Sequence, residues 1–313
     1  MERAEKIAPR DTVLFVSCWS TMGGAQVSLA SVMREIHPIV RTSLLAPAAG
    51  PFVDRVHRDA SVDEHLTMPS FTDTPRSKVR TMAAFTLLRW LLHNRGRLLA
   101  VHANGDAELK LLLPVLFAVR CPVVVWYHRG EMSPTTQRLR PLWRKLGRRI
   151  RWAAVSTTAR EQLEGAGVDP SRVALVPNPI DPRDVVPDRL ATNEPPIFGY
   201  LGCEHEAKGV LLLPDIADHL ATTGTARMLV VTKDYPPERN SDEVNQALAR
   251  LRANDSVEFA RRDFDVRNIY ARIDALLVPS LNESFCRIAV EAMLVGRPVV
   301  ASDLPAVRAV TGD

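Results

Sequence analysis

The sequence predicts an α/β protein of two doubly wound, parallel-sheet domains. Three observations predict it. Short apolar runs alternate with stretches of helical length along the chain, the pattern of repeated βα units. The runs are nearly continuous in apolar residues, as strands buried on both faces must be. The length of 313 residues and the proline- and aspartate-rich stretch at 183–196 fit two cores and a linker. The expected domains are 1–182 and 197–313, joined by that linker.

Composition bounds the function. The chain is 46% hydrophobic and 24% charged, which is ordinary for a globular protein. Net charge is +4 with pI about 9.0, a mild basicity that does not imply nucleic acid. Cys18, Cys121, Cys203 and Cys286 lack ligand-like spacing, so reduced thiols are expected rather than a disulfide or zinc site. The apolar run 13–16 is too short for a signal peptide. No stretch approaches the ~20 apolar residues that span a bilayer. A cytoplasmic protein is expected.

Residues 12–17, Thr-Val-Leu-Phe-Val-Ser, form the first strand. The loop 19–24 carries Gly23 and Gly24, and a helix over 25–35 follows. Strand, glycine turn and helix is the layout of a phosphate or sugar site at a sheet's C-terminal edge. It is equally the layout of an ordinary turn. It is not the G-x-G-x-x-G fingerprint, which argues against a nicotinamide cofactor. Strands follow at 40–45, 64–68, 98–102 and 122–127, with a helix after each of the first four. The polar loop 70–76 is where acceptor specificity is expected. His102 and His128 end the fourth and fifth strands, where open α/β sheets place ligand groups. A strand-end histidine is more often structural; two of them beside a glycine loop point towards a site.

The stretch 137–152 holds Arg138, Arg140, Arg144, Lys145, Arg148, Arg149 and Arg151 and no acid. Leu139, Leu142, Trp143, Leu146 and Ile150 recur in it at helical spacing. A basic amphipathic helix with tryptophan suits peripheral contact with an anionic membrane, at its inner face for a cytoplasmic protein. The alternative is a solvated basic face on a core-packed helix. Interleaved stacking aromatics are too few for single-stranded nucleic acid, so no nucleic-acid partner is expected. Strands at 152–156 and 173–176 complete the first domain.

The second domain reads as strands at 197–201, 228–232, 257–260, 275–278 and 299–301. The loop 202–209 carries Lys208. Asp263-Phe-Asp265 has the form of a metal motif but precedes a short helix at 266–272, so an N-cap is expected and no metal. In Pro279-Ser-Leu-Asn-Glu-Ser-Phe-Cys-Arg-Ile-Ala-Val-Glu-Ala-Met-Leu-Val-Gly-Arg-Pro, a polar loop over 280–284 leads into a helix reaching 295. Glu283 sits in the loop and Glu291 about two turns into the helix. Eight residues of helix span roughly 12 Å. The helix N-terminus between them favours a phosphate. A nucleotide-sugar fits this spacing, with hexose hydroxyls on Glu283, the diphosphate at the helix start and the ribose on Glu291. Alternatively Arg287 and Glu291, at i and i+4, form a solvated surface pair.

This stretch resembles the E-x7-E signature of retaining GT-B glycosyltransferases, glycosyltransferase family 4, through Glu283 and Glu291 within Pro-Ser-x-x-Glu-x-Phe and Glu-Ala-Met-x-x-Gly-x-Pro-Val-Val-Ala. The Pro-Asn-x-x-Asp run ending at Asp181 resembles the family's turn closing the first domain. The resemblance implies two Rossmann-like domains facing a cleft, with a nucleotide-diphosphate sugar, UDP- or GDP-linked, as donor substrate and no separate cofactor. It implies that Glu283 and His128 act on the donor sugar. It implies that Gly23 and Gly24 face the reaction centre. Lys208, with the backbone at Ser284 and Phe285, would hold the diphosphate, and Glu291 the ribose. The sequence departs from the family at three places: Cys203 stands where an arginine is usual, and Ser284 and Cys286 where glycines are. The family continues beyond the point matching Asp313, so a shortened C-terminal domain is expected. The expected activity is metal-independent transfer of a hexose-type sugar, with retention, to an acceptor hydroxyl on a lipid-linked, glycan or small-molecule acceptor. A nucleotide-sugar binder without turnover and a nucleotide-sugar epimerase are the alternatives.

Overall fold

The computed structural model describes residues 11–70, 76–128, 132–232, 237–261 and 265–312. The chain divides into two compact units, Met1–Pro179 and Ile180–Asp313.

The first unit is a sheet of β1 (Thr12–Val16), β2 (Arg41–Pro47), β3 (Glu64–Met68), β4 (Leu98–Ala103), β5 (Val123–Tyr127), β6 (Ile150–Ala154) and β7 (Val173–Leu175). Their order is β3-β2-β1-β4-β5-β6-β7, every pair parallel. β1 is central, and its Leu14, Phe15 and Val16 are fully buried, as its apolar run requires. The order reverses between β1 and β4. The C-terminal ends of these two strands therefore flank the crevice that such a reversal opens.

The stretch 137–152 is not one helix. It comprises the end of helix Pro134–Arg138, helix Arg140–Leu146, a 3-10 turn Gly147–Arg149 and the start of β6. Gly147 at φ +50 ends the longer helix. Trp143 and Trp152 are buried against each other, ring centroids 5.8 Å apart. Trp143, Leu146, Ile150 and Trp152 are thus core, while Leu142 is exposed. Arg149 donates to the carbonyls of Leu116 and Val119, capping the end of helix Asp106–Leu116. The expected amphipathic membrane helix is absent here, because its tryptophans are used inside.

The second unit is a parallel sheet of β8 (Ile197–Leu201), β9 (Arg227–Thr232), β10 (Val257–Arg261), β11 (Ala275–Val278) and β12 (Val299–Ala301), ordered β10-β9-β8-β11-β12. Its two faces carry separate cores. Tyr270, Ala289 and Ala292 pack on one, and Leu213, Leu248 and Leu251 on the other. The stretch expected as a linker, 183–196, packs on this unit: Val185 joins its core, and Arg297 Nη2 donates to Ala191 O at 2.7 Å. Asp274 accepts from the backbone of Ile197 and Asn193 and from the Asn193 side chain. Burial opposes its charge, but these hydrogen bonds hold its carboxyl below the usual range.

Candidate active site

In the second unit, the loops after β8 and β11 meet. Gly209 has φ +73, and a Cβ there would lie 1.8 Å from Pro279 O. Only glycine permits this approach. Ala207 O accepts from Leu281 N at 3.0 Å and from Asn282 N at 3.3 Å. The crossing brings Lys208 Nζ to 2.8 Å from Glu283 Oε1, which also accepts from Ser280 Oγ at 2.8 Å. Lys208 is 35% exposed and Glu283 8%. A half-exposed ammonium is therefore held against a buried carboxylate at the strand ends.

The helix after β11 spans Arg287–Leu294, two residues later than its expected start. Glu291 therefore lies little more than one turn in, not two. Its N-cap Cys286 adopts φ +59, the left-handed conformation that glycine takes without strain. Burial, then the nearby Glu283 charge, pushes the Cys286 thiol up to about 12, so it is no thiolate nucleophile. Phe285 is buried and Ser284 half-buried.

Glu291 Oε1 accepts from Arg287 Nε at 2.6 Å, and the two side chains are 6% and 9% exposed. The fully buried Tyr270 hydroxyl donates to Glu291 Oε2 at 3.0 Å. The solvated surface pair is thus a buried ion pair with a tyrosine partner. Tyr270 was not legible as part of this group; nothing local in the sequence links it to Glu291.

In the first unit, the loop after β1 leads into helix Gly24–Ile36, with Gly23 as N-cap and no side-chain cap. Gly23 has φ −132, and a Cβ on Gly24 would meet nothing within 4 Å. Backbone conformation does not demand glycine at either place; Gly24 leaves open space, while a Cβ on Gly23 would lie 3.0 Å from Gln26 Oε1. Glu108, buried in helix Asp106–Leu116, accepts from Cys18 N at 2.8 Å and holds this loop. Burial pushes both the Glu108 carboxyl and the Cys18 thiol up. Sequence reasoning missed Glu108, although an acid in the first turn of a leucine-rich helix was a usable signal.

His102 and His128 diverge. His102 lies between Phe15 and Trp126, with centroids at 5.2 and 5.7 Å. Its Nδ1 is buried without a hydrogen-bond partner, and burial pushes its pKa down to about 4. It is a neutral, partly buried histidine packed between two aromatic rings. His128 packs on Trp126 at 4.6 Å, and its Nε2 lies 3.1 Å from Asn104 Oδ1.

Beside it, Asp106 Oδ2 accepts from Ser133 Oγ at 2.8 Å and Thr136 Oγ1 at 2.6 Å. Lys110 Nζ donates to Ser133 and Thr135. This network ties helix Pro134–Arg138 to helix Asp106–Leu116.

Asp265 Oδ1 accepts from Arg267 N at 3.1 Å, at the first turn of helix Arg267–Arg272; Asp263 lies outside the described residues. Among the described residues no group of three His, Cys, Asp or Glu side chains is placed to hold a metal.

Residues 22–184 match the profile of Glycosyltransferase Family 4, and residues 195–313 match that of Glycosyl transferases group 1. Phosphatidyl-myo-inositol mannosyltransferase of Mycobacterium tuberculosis is 28% identical over 306 residues, 93% of this chain and 77% of its own. Anabaena HepE, solved in complex with UDP and glucose, superposes with TM-score 0.73 at 19% identity, covering 94% of this chain and 81% of that one. Sucrose-phosphate synthase of Thermosynechococcus elongatus superposes at 0.71 and 15% identity, covering 94% and 82%. Two parallel-sheet units in this arrangement of strands are the GT-B architecture. The chain belongs to Glycosyltransferase Family 4 and is a glycosyltransferase of the GT-B fold.

Proposed function

We propose that the chain transfers a hexose-type sugar, with retention, from a nucleoside-diphosphate sugar to an acceptor hydroxyl. The observation that carries this is the Lys208–Glu283 pair at 2.8 Å, held by the Gly209–Pro279 approach. The pair sets a cation for the diphosphate beside a carboxylate for sugar hydroxyls. Glu291 takes the ribose hydroxyls, with Arg287 and Tyr270 fixing its rotamer. Backbone at Ser284 and Phe285 meets the diphosphate. In the first unit, Gly23 and Gly24 face the reaction centre, and His128 orients the reacting face of the sugar. The acceptor oxygen forms the new bond to the anomeric carbon as the bond to the diphosphate breaks. The acceptor's proton passes to the departing phosphate oxygen. Lys208 stabilises the charge on that leaving group, an electrostatic role that a metal fills elsewhere. We assign the reaction as metal-independent.

Calorimetric titration of the full chain with UDP, GDP, UDP-glucose and GDP-mannose tests the donor site. Micromolar affinity for one nucleotide, weakened at least tenfold by Glu283→Gln for its sugar and by Glu291→Gln for both, supports the reading. Turnover unchanged by EDTA supports metal independence. No binding by the wild type sinks the reading. Binding without turnover on any acceptor favours a donor-binding subunit, which Cys203 in the usual arginine position would explain.

For the acceptor, the membrane contact expected at 137–152 moves to helix Arg76–Asn94. Lys78, Met82, Phe85, Arg89 and Leu92 share one stripe at 100° per residue, and the helix has no acid. Met82, Phe85 and Leu92 are 54%, 69% and 49% exposed, while Val79, Ala83, Leu87 and Leu91 face the core. Exposed apolar side chains among cations suit an anionic bilayer surface. Among the described residues no helix is long and apolar enough to cross a membrane. Co-flotation with phosphatidylglycerol vesicles, lost in Phe85→Glu and with neutral vesicles, is the expected result.

A further inference from the structure

Asn104 ends up between two elements that are distant in sequence. It lies just past β4, is buried, and donates its backbone N–H to Val16 O at 3.2 Å. Its Nδ2 donates to Ala25 O at 3.4 Å, in the first turn of helix Gly24–Ile36. Its Oδ1 lies 3.1 Å from His128 Nε2. These contacts settle which way the amide points. A carbonyl such as Ala25 O only accepts, so it takes the NH2 end and leaves Oδ1 towards the histidine. Oδ1 also only accepts, so His128 Nε2 carries a proton.

The backbone around Asn104 is fixed as well. Gly105 follows at φ +145, conformational space closed to other residues, and a Cβ there would lie 3.2 Å from Glu108 Oε2. Glu108 in turn holds Cys18 N. Trp126 packs on the imidazole at 4.6 Å and limits its rotation. A face contact and a directional hydrogen bond thus both act on the ring, and the bond is addressed by the amide of Asn104.

We propose that Asn104 is a positioning residue for the transfer reaction: it fixes the tautomer and the orientation of His128 and couples both to the glycine-loop helix. This rests on the assignment of His128 to the sugar's reacting face. An amide does this without adding charge, whereas a carboxylate would draw the ring towards imidazolium.

The test reads the tautomer directly. The full chain is labelled with 15N-histidine, and the His128 ring nitrogens are assigned by their loss in His128→Gln. The wild type is expected to show one tautomer, protonated at Nε2. Asn104→Ala should give a mixture of tautomers and lower kcat about tenfold, with UDP affinity unchanged. Asn104→Asp keeps an acceptor in place, so Nε2 should stay protonated while the carboxylate raises the share of imidazolium. A wild-type ring protonated at Nδ1 overturns the inference. So does an unchanged tautomer in Asn104→Ala, or a changed one with kcat unmoved. Failure of the functional reading shows up separately, as absence of donor binding and transfer in the wild type. The circular dichroism of each variant against wild type guards against misfolding, and Asn104→Ser serves in place of Asn104→Ala should the latter not fold.

Discussion

The C-terminal edges of the two sheets solve the same problem differently. At the first, the polar side chains are mainly uncharged and set among aromatics: His102 lies between Phe15 and Trp126, and His128 lies on Trp126 with Asn104 as its partner. At the second, the side chains are charged and paired: Lys208 with Glu283, and Arg287 with Glu291. Packing and tautomer set the first group, while Coulomb attraction and desolvation set the second. The first group should respond to proton concentration and the second to loss of one partner.

The comparison breaks most sharply at Gly209. Gly209→Ala would drive a Cβ into Pro279 O. We expect a loss of more than about 5 kcal/mol in the second unit, seen by calorimetry as an early separate transition. A variant with wild-type melting would mean that the two loops do not depend on this approach.

Glu291→Ala removes the carboxylate that pairs with the buried Arg287 guanidinium. A broken buried pair costs about 3–5 kcal/mol. Glu291→Gln, which keeps a hydrogen-bond acceptor, should cost less than half of that by urea denaturation. Equal costs would argue that charge does not matter at this edge.

His102 sharpens the other side. Its pKa falls from 6.5 to about 4 on folding. Between these values the unfolded chain binds more protons than the folded one, so stability rises with pH. This contribution is full above about pH 6.5 and is lost as pH falls towards 4, amounting to as much as about 3 kcal/mol. Urea midpoints at pH 7.5 and 5 should differ less in His102→Phe than in the wild type. An identical drop in both would place the acid sensitivity elsewhere.

The smallest effect is at Cys286. Cys286→Gly relieves a left-handed φ, worth about 1–2 kcal/mol, but removes a buried thiol and loosens the unfolded chain. A net change within about 1 kcal/mol is expected. A large loss would mean that the thiol's packing outweighs the strain.

Much of the fold was legible because buried parallel strands are marked locally by apolar runs. Every strand read from the sequence is present, with ends shifted by a residue or two. The helix before β12 was placed two residues early because Phe285 and Cys286 look compatible with a first turn. The stretch 137–152 misled for a related reason: helical spacing of Leu139, Leu142, Trp143 and Leu146 does not register a glycine at φ +50, or a tryptophan taken up by a neighbouring strand. Of the residues proposed for the donor, Glu283, Glu291 and Lys208 were singled out by spacing and resemblance. Glu108 was passed over, because it sits between Asp106 and Lys110 and reads as part of a polar first turn.

The sequence by itself determined the two parallel sheets, the family, and the residue types at the strand ends. Periodicity and motif spacing are local properties, so they survive in one dimension. Only the tertiary structure decided which of two strand-end histidines is inert, that the Arg287–Glu291 pair is buried, and that Asn104 dictates the protonated nitrogen of His128. Those outcomes depend on what distant chain segments bring into contact: aromatic walls that exclude water, a tyrosine from another helix, and a carbonyl some eighty positions away that orients an amide. Desolvation and hydrogen-bond direction are set by neighbours in space, and sequence order does not encode them.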